Sequence, residues 1–208
     1  MYNFILAIFA GMMIAIGGIA NLTLGGIPGA IFFSVGLLTI LTFKFYLFTG
    51  KAGLLSSNEI SPFKLIMTWL GNFIGAVFIA LLMRGAGKFS LIDAADKIMQ
   101  VRINNAWYQN IILGIMCGIL MYIAVTSYGK YRENKNDFSD TVVVILCVAG
   151  FILCGFNHCV ADMFYFSMSS KCFSGSAFLT VVYTTIGNLI GCNLIPIVID
   201  SNHIFRHK

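Results

Sequence analysis

Apolar residues run through this chain in six long blocks, which short polar connections separate. A helix that crosses a bilayer needs about 20 mostly apolar residues, and the blocks approach or exceed that length. The pattern therefore predicts an all-α membrane protein with six transmembrane helices. The blocks are Tyr2–Leu24, 27–48, 65–83, 107–128, 141–156 and 177–199.

The composition indicates the same class of protein. Of the 208 residues, 59% are hydrophobic and 10% are charged, whereas a soluble domain carries about 25% charged residues. So few charges cannot cover a water-facing surface, and we expect residues 1–208 to form one transmembrane domain within a lipid bilayer. The net charge of +5 is spread thinly along the connections and predicts no nucleic-acid partner.

The basic residues in the connections predict the orientation, because they concentrate on the cytoplasmic side. Seven lie on the side of the N-terminus and five on the other side, which favours a multi-pass cell-membrane protein with both termini in the cytoplasm. The seven are Lys51, Lys64, Lys130, Arg132, Lys135, Arg206 and Lys208, and the five are Arg84, Lys88, Lys97, Arg102 and Lys171.

The two halves of the chain contain the same short pattern, GNxxG, at 71–75 and at 187–191. Glycines four residues apart give a flat helix face that allows close packing, and an asparagine beside them can bond across helices. We expect Asn72 and Asn188 to secure helix contacts or to satisfy exposed backbone groups, with direct contact to a substrate as the alternative. Because each half holds three blocks, the pattern predicts a 3+3 inverted repeat, approximately 1–100 and 101–208.

Two of the apolar blocks are interrupted, and each interruption precedes the block that carries GNxxG. Polar or glycine residues break the second block at 46–51 and the fifth at 155–162. Interrupted helices in inverted repeats meet near the membrane midplane and form substrate sites there. His158 and Asp162 lie in the second interruption, and polar groups at membrane depth need a partner or line a cavity.

Three segments resemble motifs of the formate/nitrite transporter family. Residues 47–50 are LFTG, residues 155–163 are GFNHCVADM and residues 114–118 are GIMCG. The resemblance covers nearly the whole chain in the family's order. It implies an aquaporin-like protomer with broken helices 2 and 5, assembled as a homopentamer with one pore in each protomer. It also implies small monovalent anions such as formate, nitrite or hydrosulfide as substrates, and no cofactor.

The resemblance also implies roles for individual residues. The family's central histidine corresponds to His158, its loop threonine to Thr49, and a basic residue at the outer mouth to Arg102. Phe156, Asn157 and Asp162 belong to the signature around the histidine. The apolar constrictions correspond to Leu37, Leu47, Phe48 and Phe151, with Phe33 and Met121 as further candidates.

The chain departs from the family pattern in its charges. Asn157 replaces a glutamate, Asp162 replaces an asparagine, Lys51 replaces another asparagine, and Lys44 lies where a small residue is usual. A lone buried charge is costly, so one hypothesis is that Asp162 pairs with Lys44 or Lys51. The alternative is that each lysine extends separately to an interface.

These residues suggest a physical mechanism for transport. An anion that crosses an apolar constriction has a large desolvation cost, which its neutral acid avoids. Histidine suits proton exchange because its unperturbed pKa of about 6.5 lies near physiological pH. The hydroxyl of Thr49 can donate and accept hydrogen bonds, so it can orient the imidazole and contact the substrate.

Three other functions compete with this interpretation. The first is a channel of similar shape for water or another neutral solute. The second is a membrane-embedded enzyme that uses His158 and Asp162 as an acid–base pair, although the sequence shows no further convergent catalytic or metal-ligand set. The third is a non-conducting sensor, which the short extramembrane segments disfavour. We expect a channel rather than an enzyme, with no metal centre.

Overall fold

A computed structural model describes residues 2–128, 138–172 and 174–206 of the chain. Within these ranges the chain forms nine helices and no strands. The basic connection with Lys130, Arg132 and Lys135, which entered the orientation argument, lies outside the described residues, as does Lys208.

Most helices follow the apolar blocks, and three lie mostly outside them: one after the second block, one between the third and fourth, and one between the fifth and sixth. They are α1 (Tyr2–Leu24), α2 (Gly26–Phe43), α3 (Phe48–Ala52), α4 (Pro62–Gly85), α5 (Ser90–Asn104), α6 (Trp107–Ser127), α7 (Phe138–Leu153), α8 (Cys159–Met168) and α9 (Gly175–Arg206). Five of them, α1, α2, α4, α6 and α9, are long and apolar enough to cross a membrane. Helices α7 and α8 are shorter, with 16 and 10 residues.

The bounds of the first block are confirmed, since α1 spans Tyr2–Leu24. The second block was predicted to end at residue 48 and its interruption to cover residues 46–51. Both the end of the helix and the position of the interruption are wrong. Helix α2 already ends at Phe43, and residues 48–51 are helical again in α3. Lys44 terminates α2 with a left-handed backbone conformation (φ 56°), which turns its N–H back to the carbonyls of Ile40 and Leu41.

Helix α5 was not predicted from the sequence. It is amphipathic, and it buries Leu91, Ala95 and Met99, which are spaced four residues apart and therefore share one face. This helix connects the end of α4 to the start of α6. Its last turn places the side chain of Arg102 against α8.

Close packing joins α1 to α4 and α6 to α9, and glycines make it possible. A Cβ on Gly75 of α4 would overlap the carbonyl oxygen of Ile8 in α1. A Cβ on Gly191 of α9 would likewise overlap the carbonyl oxygen of Ile115 in α6. Both helix pairs can therefore approach closely only because these positions have no side chain.

The asparagine of the first GNxxG holds the short helix α3 in place. Asn72 is fully buried, and its Oδ1 accepts a hydrogen bond from the backbone N–H of Phe48, the first residue of α3, at 2.8 Å. Its Nδ2 donates to the carbonyl of Ala7 at 2.7 Å and to the carbonyl of Tyr46 at 2.9 Å. The backbone groups freed beside α3 are thus satisfied by one side chain.

The asparagine of the second GNxxG makes the corresponding bonds to α8. Asn188 Oδ1 accepts from the backbone N–H of Cys159, the first residue of α8, at 2.8 Å. Its Nδ2 donates to the carbonyls of Gly114 and Asn157, each at 2.8 Å. Both asparagines therefore satisfy backbone groups, which is one of the two structural roles expected for them.

Candidate functional site

The side chains of His158 and Thr49 meet at the point where α3 and α8 begin. His158 Nε2 lies 3.0 Å from Thr49 Oγ1, and both residues are 1% exposed. His158 immediately precedes α8, and Thr49 is the second residue of α3. The two asparagines described above fix the first residues of these helices, so they also fix this pair.

The hydrogen bonds of the imidazole define its tautomer. The backbone N–H of Ala161 donates to His158 Nδ1 at 3.2 Å, so Nδ1 carries no hydrogen in this arrangement. In the neutral ring the hydrogen then lies on Nε2, which donates to Thr49 Oγ1. The hydroxyl hydrogen of Thr49 remains available for another acceptor.

Aromatic rings cover one face of the imidazole. The ring of Phe151 stacks on His158 with a centroid separation of 5.5 Å and an interplanar angle of 19°. Phe33 meets Phe151 edge to face at 5.8 Å. Phe151 thus places apolar surface against one face of the imidazole, and Phe33 supports that ring from behind.

Two cavities approach the pair from opposite ends of α6. The larger, with a volume of about 660 Å³, is lined by Thr49 and by Tyr122, Val125 and Thr126 near the C-terminal end of α6. The smaller, of about 330 Å³, is lined by His158 and by side chains of α5, which directly precedes α6. The hydrogen-bonded pair therefore contributes one residue to each cavity.

The apolar residues expected to form constrictions are divided between the two cavities and the core. Leu37 and Leu47 line the larger cavity, and Phe151 lines the smaller, as does Phe156 of the signature around the histidine. Three others are buried in the core and line neither of these cavities: Phe33, Phe48 and Met121.

Asp162 pairs with Arg102, and the hypothesis that it pairs with Lys44 or Lys51 is wrong. Arg102 Nε lies 2.6 Å from Asp162 Oδ1, and the hydroxyl of Thr184 donates to Oδ2 at 3.1 Å. Asp162 is fully buried, whereas Arg102 also lines the smaller cavity. The physical reason is position, because both lysines line the larger cavity at the other end of α6.

The two lysines contribute positive charge to the larger cavity. Lys44 is exposed, and Lys51 is half-buried with its Nζ 4.6 Å from the ring centroid of Tyr46. A cation over an aromatic face is attracted by the electrons of the ring. Glu59 also lines this cavity, so its lining carries both signs of charge.

Asn157 lies beside the pair but lines neither of the two cavities. Its Nδ2 donates to Asn110 Oδ1 at 3.0 Å, and its Oδ1 has no hydrogen-bond partner among the described residues. Asn110 in turn donates to the carbonyl of Arg102 at 2.8 Å. Asn157 therefore links the segment before His158 to the end of α5.

Several polar residues that support the site were not predicted. Asn193 donates to the carbonyl of Ala52 at the end of α3, at 2.9 Å, and Arg84 donates to the carbonyl of Met168 at the end of α8, also at 2.9 Å. Asn110, Thr184 and Asn193 could have been recognised from the sequence, because each is a polar residue within an apolar helix.

The fold and the site define the class of protein: a multi-pass helical membrane protein with a buried polar pair between two cavities. A family model described as "Formate/nitrite transporter" matches residues 1–200. The chain belongs to the formate/nitrite transporter family.

Individual relatives agree with this assignment. The formate channel FocA of Escherichia coli (strain K12) is 28% identical over 237 residues, which cover 96% of this chain and 80% of that protein. FocA of Haemophilus influenzae is 30% identical over 155 residues, which cover 67% of this chain and 52% of that protein. A solved structure titled "Pentameric formate channel with formate bound" matches with a TM-score of 0.79 and 24% identity, covering 100% of this chain and 97% of that one.

Proposed function

We propose that this protein is a transmembrane channel for small monovalent weak-acid anions, namely formate, nitrite or hydrosulfide. The observation that carries the proposal is the 3.0 Å contact between His158 and Thr49, because one residue lines each cavity. A solute that passes from one cavity to the other meets this polar pair between apolar side chains. Family membership makes small anions the substrates to test first.

The proposed architecture is an aquaporin-like protomer with six spans in a 3+3 inverted repeat. In this interpretation α2 with α3 forms the second span, and α7 with α8 forms the fifth, each broken near the midplane. The matching hydrogen bonds of Asn72 and Asn188 support it, since each asparagine holds the first residue of a short helix. Residues 1–208 then constitute a single channel domain.

The proposed mechanism removes the charge of the anion at the apolar constriction. Transferring a bare anion into hydrocarbon is far more costly than transferring its neutral acid. The Thr49 hydroxyl, which accepts from His158 Nε2, is free to donate to the anion. The ring of Phe151, packed against His158 and supported by Phe33, limits the access of water on this face, which strengthens this hydrogen bond.

Proton transfer through the pair requires a doubly protonated ring. The hydroxyl proton of Thr49 moves to the anion, and the Nε2 proton of His158 replaces it on the threonine oxygen. The ring is left neutral with its remaining proton on Nδ1. The N–H of Ala161 faces Nδ1 at 3.2 Å, so a ring with a proton there must give up this hydrogen bond. We propose that this step supplies the pH dependence of transport.

Cationic side chains in both cavities are proposed to attract the anion. Arg102 lines the smaller cavity, and Lys44 and Lys51 line the larger. A cavity with an excess of one charge raises the local concentration of the opposite charge. The pathway thus has positive charge on both sides of a neutral constriction.

The assembly and location are part of the same proposal. We expect a homopentamer in the cell membrane with both termini in the cytoplasm, and no cofactor in the transport cycle. The match to a structure titled as a pentameric channel supports this assembly. The large hydrophobic side chains that a single protomer exposes, such as Phe78 and Leu81 of α4, suit lipid or neighbouring protomers.

Flux into proteoliposomes tests the proposal. Formate, nitrite and hydrosulfide should enter faster as the external pH falls, because protons become more available for the neutral acid. His158→Phe should abolish most of this pH dependence, and Thr49→Val should lower the rate. Thr39→Val is the matched control, since among the described residues its hydroxyl bonds only to the carbonyl of Val35 within α2.

The competing functions give different results in the same assay. A channel for water or neutral solutes would speed osmotic swelling and leave the three anions outside. An enzyme would convert a substrate in detergent, where no compartment exists. Either result, without anion flux, would refute the proposed function.

A further inference from the structure

A hydrogen-bonded pair on the wall of the smaller cavity has no role in the mechanism above. Asn21 Nδ2 of α1 donates to the hydroxyl oxygen of Tyr165 in α8 at 3.0 Å. Both residues line the cavity that His158 also lines, and Tyr165 is only 3% exposed. The pair therefore lies within the same compartment as the central histidine.

The direction of this bond leaves the phenolic hydrogen of Tyr165 available. Because the oxygen accepts from Asn21, the O–H of the phenol must donate to a different group. Among the described residues, none accepts it. A buried hydroxyl normally donates to an acceptor, and the adjoining cavity offers the space for one.

The charges around this cavity indicate the sign of its ligand. Lys97 and Arg102 are cationic and line it, and no described lining residue is a carboxylate. Asp162, which pairs with Arg102, does not line it. A small anion fits this combination of positive charge and hydrogen-bond donors.

We propose that the Tyr165 hydroxyl, oriented by Asn21, is a specificity-determining group that donates a hydrogen bond to an oxygen atom of the anion in the smaller cavity. The anion docks there before it reaches His158. This inference rests on the proposed function and narrows its substrate class. Tyr165 contacts the anion, whereas Asn21 acts as a positioning residue.

The acceptor atom decides which anions benefit from this group. A charged oxygen of formate or nitrite is a strong acceptor, and hydrogen bonds to charged groups are stronger than neutral ones. Sulfur accepts hydrogen bonds weakly. The Tyr165 hydroxyl therefore favours carboxylates and nitrite over hydrosulfide.

Concentration-dependent uptake by the full-length protein in proteoliposomes tests this proposal. Tyr165→Phe should raise the half-saturating concentrations of formate and nitrite about tenfold, the effect expected from losing one hydrogen bond to a charged group. Hydrosulfide uptake and the maximum rates should change little. Asn21→Leu should also raise the half-saturating concentrations of formate and nitrite, but by a smaller factor. The Tyr165 hydroxyl is still present in this variant, although it has lost the partner that orients it.

A matched substitution controls for loss of any phenolic hydroxyl. Tyr183→Phe in α9 removes one from a residue that lines neither cavity, so all three half-saturating concentrations should stay unchanged. Unchanged oxyanion affinity in Tyr165→Phe, or equal losses for formate and hydrosulfide, would overturn the docking proposal while the channel function stands. Absence of flux in the parent protein would refute the function itself.

Discussion

Arg102 and Asp162 form an ion pair in which one partner is fully buried and the other reaches a cavity. The Nε–Oδ1 distance is 2.6 Å, with side-chain exposures of 12% for Arg102 and 0% for Asp162. The pair joins α5 to α8, in the first turn of α8 after His158. Water can reach Arg102 but not Asp162. The carboxylate therefore depends on the arginine to compensate its charge more than the arginine depends on the carboxylate.

This asymmetry predicts unequal effects of removing each partner. Arg102→Met leaves Asp162 as a buried lone charge and should lower the free energy of unfolding by about 3–5 kcal/mol. Asp162→Asn should cost only about 1 kcal/mol, because the amide oxygen can still accept from Arg102 and the amide NH2 group can donate to the hydroxyl oxygen of Thr184. Thermal unfolding of the detergent-solubilised protein measures both.

A double substitution and a surface control complete this test. Arg102→Met with Asp162→Leu should recover most of the stability, since a hydrophobic replacement of a buried pair is often neutral. Asp96→Asn replaces a half-buried carboxylate whose bonds to Ser170 are exposed to solvent, and it should change stability by less than about 0.5 kcal/mol. Equal losses for both single variants would contradict the asymmetry.

The buried amides of Asn72 and Asn188 should be equally indispensable. Replacing either by leucine leaves a backbone N–H at the start of α3 or α8 and two carbonyls without their partner. Each unsatisfied buried group costs about 1–3 kcal/mol, so we expect little folded protein from either variant. Yield of the assembled protein on size-exclusion chromatography measures this.

An exposed asparagine provides the comparison for these amides. Asn104→Leu, near the end of α5, removes only an exposed bond with Gln100 and should assemble normally. If Asn188→Leu assembled as well as Asn104→Leu, the amide would not be holding α8. That result would also weaken the proposed equivalence of the two halves.

Glycine substitutions in α4 separate close packing from helix propensity. Gly75→Ala should disrupt the contact of α4 with α1, because its Cβ would overlap the carbonyl of Ile8. Gly85→Ala, in the last turn of the same helix, meets nothing within 4 Å and should be neutral or stabilise the helix by up to about 1 kcal/mol. Thermal unfolding should therefore show a lower midpoint temperature for Gly75→Ala and an unchanged or higher one for Gly85→Ala.

Long apolar runs were sufficient to predict most helices, because spanning a bilayer imposes a length and a composition together. They located α1 and the cores of α4, α6 and α9. Helix α5 was not predicted because its sequence includes Asp93, Asp96 and Lys97, and because its buried face consists of only three residues. A search for apolar residues that recur every four positions would have predicted this helix.

Side-chain pairings were less predictable than helices. The sequence indicated that Asp162 needs a cation and suggested Lys44 or Lys51, but the packing of α5 against α8 selects Arg102. The hydrogen bond of Asn21 to Tyr165 joins residues 144 positions apart, and no local pattern predicts it. Motif resemblance singled out His158 and Thr49, and the structure places their side chains within hydrogen-bond distance.

The stacked ring of Phe151 should control what passes the polar pair. It covers the imidazole of His158 and contacts Phe33, so Phe151→Ala removes apolar surface from both. Water can then hydrate an anion beside His158, and the cost of charge at the constriction falls. We expect faster anion flux with weaker pH dependence, and entry of larger carboxylates such as lactate.

An exposed phenylalanine on the outside of the bundle distinguishes this effect from general damage to the fold. Phe78 of α4 is 48% exposed, and Phe78→Ala should leave both the flux and its pH profile unchanged. Uptake of formate and lactate at two pH values compares the variants directly. If Phe151→Ala retained the steep pH dependence of the parent, charge removal would not take place beside this ring, and the mechanism would need another constriction.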